Sequence, residues 1–420
     1  MKRLLLLLLL TFFLGGCAKK VDEGPAERTV LVYVAAANDL YPYARTNLSD
    51  MIAGYGKTNP KKNRLIVYYD TGDGVPRLLQ VDASGAHPLQ EYPGANSTDP
   101  DQLHKVVSQV LQDFPAKSYG LILWSHATGW IPKGFPLAVK NQWSLTAFPA
   151  TRTFGNQYFE GQQYEIEIPD LTNALPTGAF DFILIDACLM GSVEVAYALR
   201  EKTDYLIAYP TEVIADGMPY REITATLFSD APTQDYCRQI AQKFYEHYNA
   251  QSGVYRSASV ALVKTAGLEA LARSVREVVK DNPEVASLPL ASIQHYDSYS
   301  RPFMYDLDDF IGQLATPAQY QTFRQALDNT VLYQAHTDTF FSLPLERCCG
   351  LSVYIPSQPY ADYLPYYQDT PWSGLLPVNA LFPGGISSVK TLFSSSESPP
   401  RSILFANRGD DFLCLPRKKR

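Results

Sequence analysis

Two short apolar runs, at 119–124 and 180–185, most narrowly limit the folds open to this chain. Each is apolar along nearly its whole length, as suits a strand covered on both faces in a parallel sheet. Runs at 29–36, 64–70, 205–209 and 257–263 share that character. Between them lie segments of helical spacing. Leu103, Val106, Val107, Val110 and Leu111 follow an Asp99-Pro100 start, the pattern of a capped helix over 99–114. Further helices are predicted from the Asn38-Asp39-Leu40 turn through Met51, and over 170–175, 194–201, 235–250, 268–279, 307–314 and 317–332. Strands alternating with helices predict an α/β fold with a mostly parallel central sheet flanked by helices. A small hairpin (77–81 with 87–92) is expected beside that sheet, and a late strand at 350–355. Residues 131–164 lack periodicity and read as a long irregular loop, and 212–220 as a shorter one.

The N-terminus predicts export. Met1-Lys2-Arg3 precedes an apolar stretch from Leu4 to Leu14, then Gly15-Gly16-Cys17, the charge and size order of a secretory leader. That stretch is too short to span a bilayer. Cys17 after Leu14-Gly15-Gly16 looks like a bacterial lipoprotein processing site, with Cys17 as the lipidated first residue. Residues 1–16 are then the leader, 17–28 a polar tether, 29–390 the folded domain with its C-terminal extension, and 391–420 a low-complexity tail with a basic tip. The expected location is the cell envelope or surface, with lipid as the link to a bacterial membrane. Net charge is −7, and Lys2 and Arg3 leave with the leader. With no basic stripe to offset that balance, nucleic acid is excluded as a partner, and cationic peptides are weakly favoured. The cysteines are Cys17, Cys188, Cys237, Cys348, Cys349 and Cys414. With Cys17 lipidated an odd number remains, so at least one thiol stays free. No Cys-x-x-Cys or clustered His suggests zinc.

Reactive side chains close the two defining runs. The first ends in Ser125-His126-Ala127 and the second in Asp186-Ala187-Cys188. Two buried strands that deliver an imidazole and a thiol to one sheet edge meet the needs of nucleophilic thiol catalysis. A free thiol, of pKa about 8.5, is mostly protonated at neutral pH. An adjacent imidazole takes that proton and later gives it to the leaving amine. Turns after the strands supply backbone N–H donors for the tetrahedral oxyanion, and those of Cys188 and Ala127 are the candidates. Trp124 and Trp130 flank the histidine as cleft walls or as core.

The order His then Cys, each behind an apolar strand, resembles the caspase-like superfamily of cysteine peptidases. Within it, the segments Leu123-Trp124-Ser125-His126-Ala127-Thr128-Gly129-Trp130 and Asp186-Ala187-Cys188-Leu189-Met190-Gly191-Ser192-Val193-Glu194 are similar to the two catalytic blocks of the clostripain family. Arg152-Thr153-Phe154-Gly155, Ile168-Pro169-Asp170-Leu171, Glu212 with Gly217-Met218-Pro219-Tyr220, and Gly350-Leu351-Ser352-Val353-Tyr354-Ile355-Pro356 match as well. The resemblance spans 29–367. It implies a caspase-like three-layer sandwich and a cysteine endopeptidase that cuts proteins or peptides after Arg or Lys through a Cys188–His126 dyad. It makes Asp186 the S1 acid, and a carboxylate two residues before the nucleophile suits a guanidinium or ammonium group. Glu212 and Asp216 are candidates to line the same pocket. Family members are commonly activated by a cut after the histidine, for which Lys140 and then Arg152 are the candidates here. No cofactor is expected; calcium dependence occurs in part of the family, but no compact acidic loop resembles a calcium site. A monomer is expected. One departure stands out, Ala127 where the family usually has Gly. Were a positive φ required there, Ala would carry about 1 kcal/mol of strain and misaim its N–H. That departure motivates a second reading, a catalytically impaired relative acting as a surface binding or adhesion lipoprotein.

Overall fold

The computed structural model describes residues 25–56, 58–59, 62–132, 154–282, 285, 288–299, 301–355, 364–368 and 370–375. Cys17, Lys140, Arg152 and Cys414 lie outside the described residues, as do the leader and the tail. The strands are β1 (Ala26–Ala35), β2 (Asn63–Asp70), β3 (Arg77–Asp82), β4 (Gly85–Glu91), β5 (Ala116–Trp124), β6 (Phe154–Phe159), β7 (Gln162–Ile166), β8 (Phe180–Asp186), β9 (Thr203–Ala208), β10 (Ser259–Lys264), β11 (Tyr305–Asp306) and β12 (Val331–His336). Nine of them form one sheet, in the order β12-β10-β9-β8-β5-β1-β2-β3-β4. The inner five, β2, β1, β5, β8 and β9, run parallel. Antiparallel strands close both flanks.

Helices cover both faces. On one lie α1 (Tyr41–Tyr55), α5 (Tyr220–Ile223) and α6 (Thr233–Asn249). On the other lie α2 (Pro100–Asp113), α3 (Ile168–Ala174), α4 (Val193–Ala198), α7 (Leu268–Asp281), α8 (Leu307–Leu314) and α9 (Pro317–Thr330). Strand side chains alternate between these layers, as the pleat requires. Val30, Val32 and Val34 of β1 pack into the first layer, and Leu31, Tyr33 and Ala35 into the second. In β8, Phe182 and Leu184 face the first, and Ile183 and Ile185 the second. Both faces are therefore apolar, which is why the sequence runs looked uninterrupted. α2 starts where its sequence cap was read, with the Asp99 carboxylate accepting from the Asp101 N–H.

Several boundaries differ from the sequence reading. β1 opens at Ala26, inside the segment read as tether. Tertiary contacts decide this: Arg28 donates to Ser118 and to the Leu227 and Ser229 carbonyls, and its guanidinium lies 4.1 Å from the centre of the Tyr236 ring. The 77–92 hairpin is part of the main sheet rather than beside it. Within the expected loop 131–164, β6 begins an antiparallel hairpin with β7. Helix α9 stops at Thr330 and hands over to β12, a half-exposed edge strand with no uniform apolar signal. The late strand shrinks to Ser352–Val353 and pairs with β11, outside the main sheet.

The chain order places the functional edge. β2 lies on one side of β1 and β5 on the other, so the direction of winding reverses there. In open α/β sheets such a reversal opens a crevice at the strands' carboxyl ends.

Candidate active site

Four chemically reactive side chains follow the carboxyl ends of β1, β5, β8 and β9: Asp39, His126, Cys188 and Glu212. Trp124 of β5 pairs with Asp186 of β8. His126 and Cys188, each two residues further on, therefore leave the sheet side by side. The turns behind them touch. Gly129, at φ +69°, lies so near the second turn that a Cβ there would sit 2.9 Å from the Leu189 carbonyl oxygen.

Cys188 is presented by a sharp corner. Leu189, with φ +59°, occupies the left-handed region that L side chains rarely adopt. Its N–H donates to the Thr211 carbonyl at 2.9 Å, and that of Gly191 to the Tyr209 carbonyl at 2.7 Å. Ser192 then caps α4 by accepting from the Val195 N–H. The half-buried thiol accepts from the Val213 N–H at 3.3 Å and faces the Val213 carbonyl at 3.7 Å. Burial pushes it up to about 12; the Val213 N–H opposes that shift, while Glu212 and Asp186 add to it. In this geometry the sulfur is a protonated thiol at neutral pH.

His126 is buried, and its Nε2 lies 2.7 Å from Asp39 Oδ1. Its carbonyl accepts from the Gly155 N–H at 2.9 Å. Among the described residues no hydrogen bond joins the imidazole to the sulfur. Ala127 is buried and lies outside the positive-φ region, which Gly129 occupies instead. The strain feared at Ala127 does not arise. Among the described residues neither the Ala127 nor the Cys188 N–H donates to a backbone carbonyl.

The acids differ sharply in their surroundings. Asp186 is buried and accepts from Tyr209 OH, Tyr220 OH and the Met218 N–H at 3.0, 2.9 and 3.1 Å. Burial still lifts it to about 6. Glu212 is buried with no close hydrogen bond to either carboxylate oxygen, although the backbone N–H groups of Ser298 and of Glu212 itself lie near enough to favour its charged form in part. Burial first, then the charge of Asp297, push it up to about 8. Asp216 is exposed. The flanking tryptophans belong to the core: Trp124 donates to Asn47, and Trp130 packs edge-on against Tyr354 and Tyr367. Sequence reasoning assigned no role to Asp39, which looked like an ordinary turn residue. Among the described residues no cluster of three His, Cys, Asp or Glu side chains is placed to hold a metal ion.

Two further buried carboxyls, Glu194 and Asp297, are each raised to about 7 by burial. With Asp186 and Glu212 they make stability depend on pH in a defined direction. A raised folded-state pKa means that the folded chain favours the proton, so this contribution is complete below the unfolded carboxyl pKa of about 4. It is lost as pH rises through 6 to 8. The melting temperature is expected to fall between pH 5 and pH 8.5, and less steeply in Glu212→Gln. Parallel profiles for parent and variant would contradict an ionisable, buried Glu212.

A mostly parallel sheet between helical layers, with a thiol and an imidazole at its carboxyl edge, defines a caspase-like cysteine peptidase. The model of the clostripain family matches residues 32–369, and the chain belongs to that family. An inactive zymogen C11 protease from Parabacteroides distasonis is similar at 30% identity and TM-score 0.71, over 84% of this chain and 99% of that one. A secreted C11 cysteine protease from Bacteroides thetaiotaomicron, solved with an irreversible peptide inhibitor, is 29% identical with TM-score 0.70, over 83% of this chain and 99% of that one. No curated protein sequence matches the chain. Among the described residues no helix is long and apolar enough to cross a membrane.

Proposed function

We propose that this cysteine peptidase is an exported, lipid-anchored endopeptidase that cleaves after Arg or Lys, with Cys188 as nucleophile and His126 as base and acid. The observation that carries the assignment is the shared exit of His126 and Cys188 from paired positions of β5 and β8, beside two N–H groups that donate to no described backbone carbonyl. The thiol geometry described above is a resting one. Turning Cys188 away from Val213 toward His126 starts the reaction. The imidazole takes the thiol proton, and sulfur attacks the substrate carbonyl carbon as the carbonyl π pair moves onto oxygen. The N–H groups of Cys188 and Ala127 stabilise that oxyanion. On collapse the C–N bond breaks and His126 gives its proton to the departing amine. Water, deprotonated by His126, then attacks the thioester and expels the Cys188 thiolate, which recovers the proton.

Preference for a basic residue is supported by the state of Glu212. Among the described residues its carboxylate has no cationic partner, only the backbone N–H groups of Ser298 and of Glu212 itself nearby, and burying such a group is costly unless a cation completes it. An Arg or Lys side chain is such a cation. Asp186, the acid implied by the family resemblance, has three donors of its own and adds negative charge to the pocket; Asp216 lines its exposed side. Glu212→Gln is expected to cut kcat/KM for Arg and Lys peptides on the order of 10- to 100-fold, by removing a charge-assisted contact, and to spare neutral substrates. Equal losses on fluorogenic Arg, Lys and neutral peptides would reject Glu212 as the pocket acid. The proposal further includes lipidation at Cys17, self-processing at Lys140 with Arg152 second, and a monomeric enzyme with no cofactor requirement. Mass spectrometry of the membrane fraction tests the covalent claims: an unacylated, uncut chain removes both.

A further inference from the structure

A Cys–His dyad makes no use of the bond that holds the histidine. A carboxylate can only accept, so the 2.7 Å contact with Asp39 requires the proton of neutral His126 on Nε2. Nδ1 is then the nitrogen with a free lone pair. We propose that Asp39 is a positioning residue for catalysis, a third member that fixes the His126 ring and tautomer so that Nδ1 serves Cys188. This inference rests on the roles proposed for His126 and Cys188.

Asp39 and His126 are 87 positions apart in sequence, yet one hairpin pins both. The Gly155 N–H of β6 donates to the His126 carbonyl at 2.9 Å. The carbonyl of the next residue, Asn156, accepts from Asn38 Nδ2 at 2.9 Å. Asn38 in turn accepts from the Leu40 N–H at 2.9 Å, which closes the turn that carries Asp39. Gly155 is required for this approach: at φ +89°, a Cβ would lie 2.4 Å from Thr98 Cγ2. The bond to His126 holds the Asp39 carboxyl below its usual range. Because the Asp39 side chain is 66% exposed and that of His126 only 8%, the pair contributes little to stability. Its value lies in orientation, and in stabilising the imidazolium formed when the thiol proton is transferred. The opposite role, a restraint that keeps His126 off the sulfur, predicts the opposite sign when Asp39 is removed.

The test uses the full chain as parent, Asp39→Ala and Asp39→Asn, with melting temperature as the check on folding. Positioning predicts that Asp39→Ala lowers kcat about 10- to 100-fold, part of what a general base contributes, with KM within about twofold. Asp39→Asn should recover part of that loss, because its amide oxygen still accepts from Nε2–H without the charge. Hydrolysis by Asp39→Ala at the parent rate removes the proposal, and faster hydrolysis replaces it with the restraint. The second readout is nitrogen-15 NMR of labelled histidines in a Cys188→Ala background, which needs no turnover. His126 should appear as the Nε2–H tautomer and lose that preference once Asp39→Ala is added. An unchanged tautomer would overturn the inference even if the peptidase reading stands. A processed parent without hydrolytic activity would instead remove the peptidase roles and leave the tautomer to decide the pairing.

Discussion

Replacing Cys188 with alanine is expected to lower kcat for Arg and Lys peptides by on the order of 10^5- to 10^6-fold, the scale set by loss of a catalytic nucleophile. The fold should be untouched. The side chain is half-buried, and its bonds to Val213 are weak sulfur contacts. The corner that carries it is held instead by the backbone bonds of Leu189 and Gly191. His126→Ala should cost a similar factor, and the double variant hardly more, because nucleophile and base act as one unit. What remains over the uncatalysed rate would come from substrate binding and the two N–H donors. Parallel kcat and melting measurements check this. Equal hydrolysis by parent and Cys188→Ala would transfer the reaction to another group and end the assignment.

The largest expected effect on stability comes from Gly191→Ala. A Cβ at this position would lie 2.5 Å from the Pro210 nitrogen and 2.6 Å from the Tyr209 carbonyl carbon. Both are backbone atoms just past β9, so no rotamer change relieves the clash. Relief requires the turn after Cys188 to separate from β9, which breaks the 2.7 Å bond from the Gly191 N–H to the Tyr209 carbonyl. Overpacking of this kind costs about 3 kcal/mol or more, and the displaced turn would carry Cys188 with it. Denaturant unfolding should show the loss, accompanied by a fall in activity. Gly312→Ala is the contrast. In α8 its Cβ would meet only Tyr320 Cε2, at 3.6 Å, so helix propensity makes it neutral or stabilising by up to about 1 kcal/mol. Similar losses at both sites would show that the close approach at Gly191 is not what matters.

The parts of the site that could be read in advance share one property: their signal is local. β5 and β8 are apolar on both faces because helical layers cover both, and their reactive ends stand directly after the apolar run. β12 left no such trace, since an edge strand with half-exposed residues needs no apolar pattern. β6 was hidden in a Gly- and Gln-rich stretch, although Gly155 and Asn156 tie the histidine turn to the Asp39 turn. Ala127 looked suspect because position in a motif suggests conformation without determining it; the left-handed residues prove to be Gly129 and Leu189.

By itself, then, the sequence determined the layered α/β architecture, the family, and the two candidate reactive residues, because each is written in a continuous segment of chain. Tertiary structure alone decided that Asp39 holds His126, that Asp186 is satisfied by two tyrosines and an amide, and that Glu212 is buried with no cation to pair it among the described residues. A side chain's charge state and orientation depend on which distant groups surround it and on how much water they exclude. Neither is encoded near the residue.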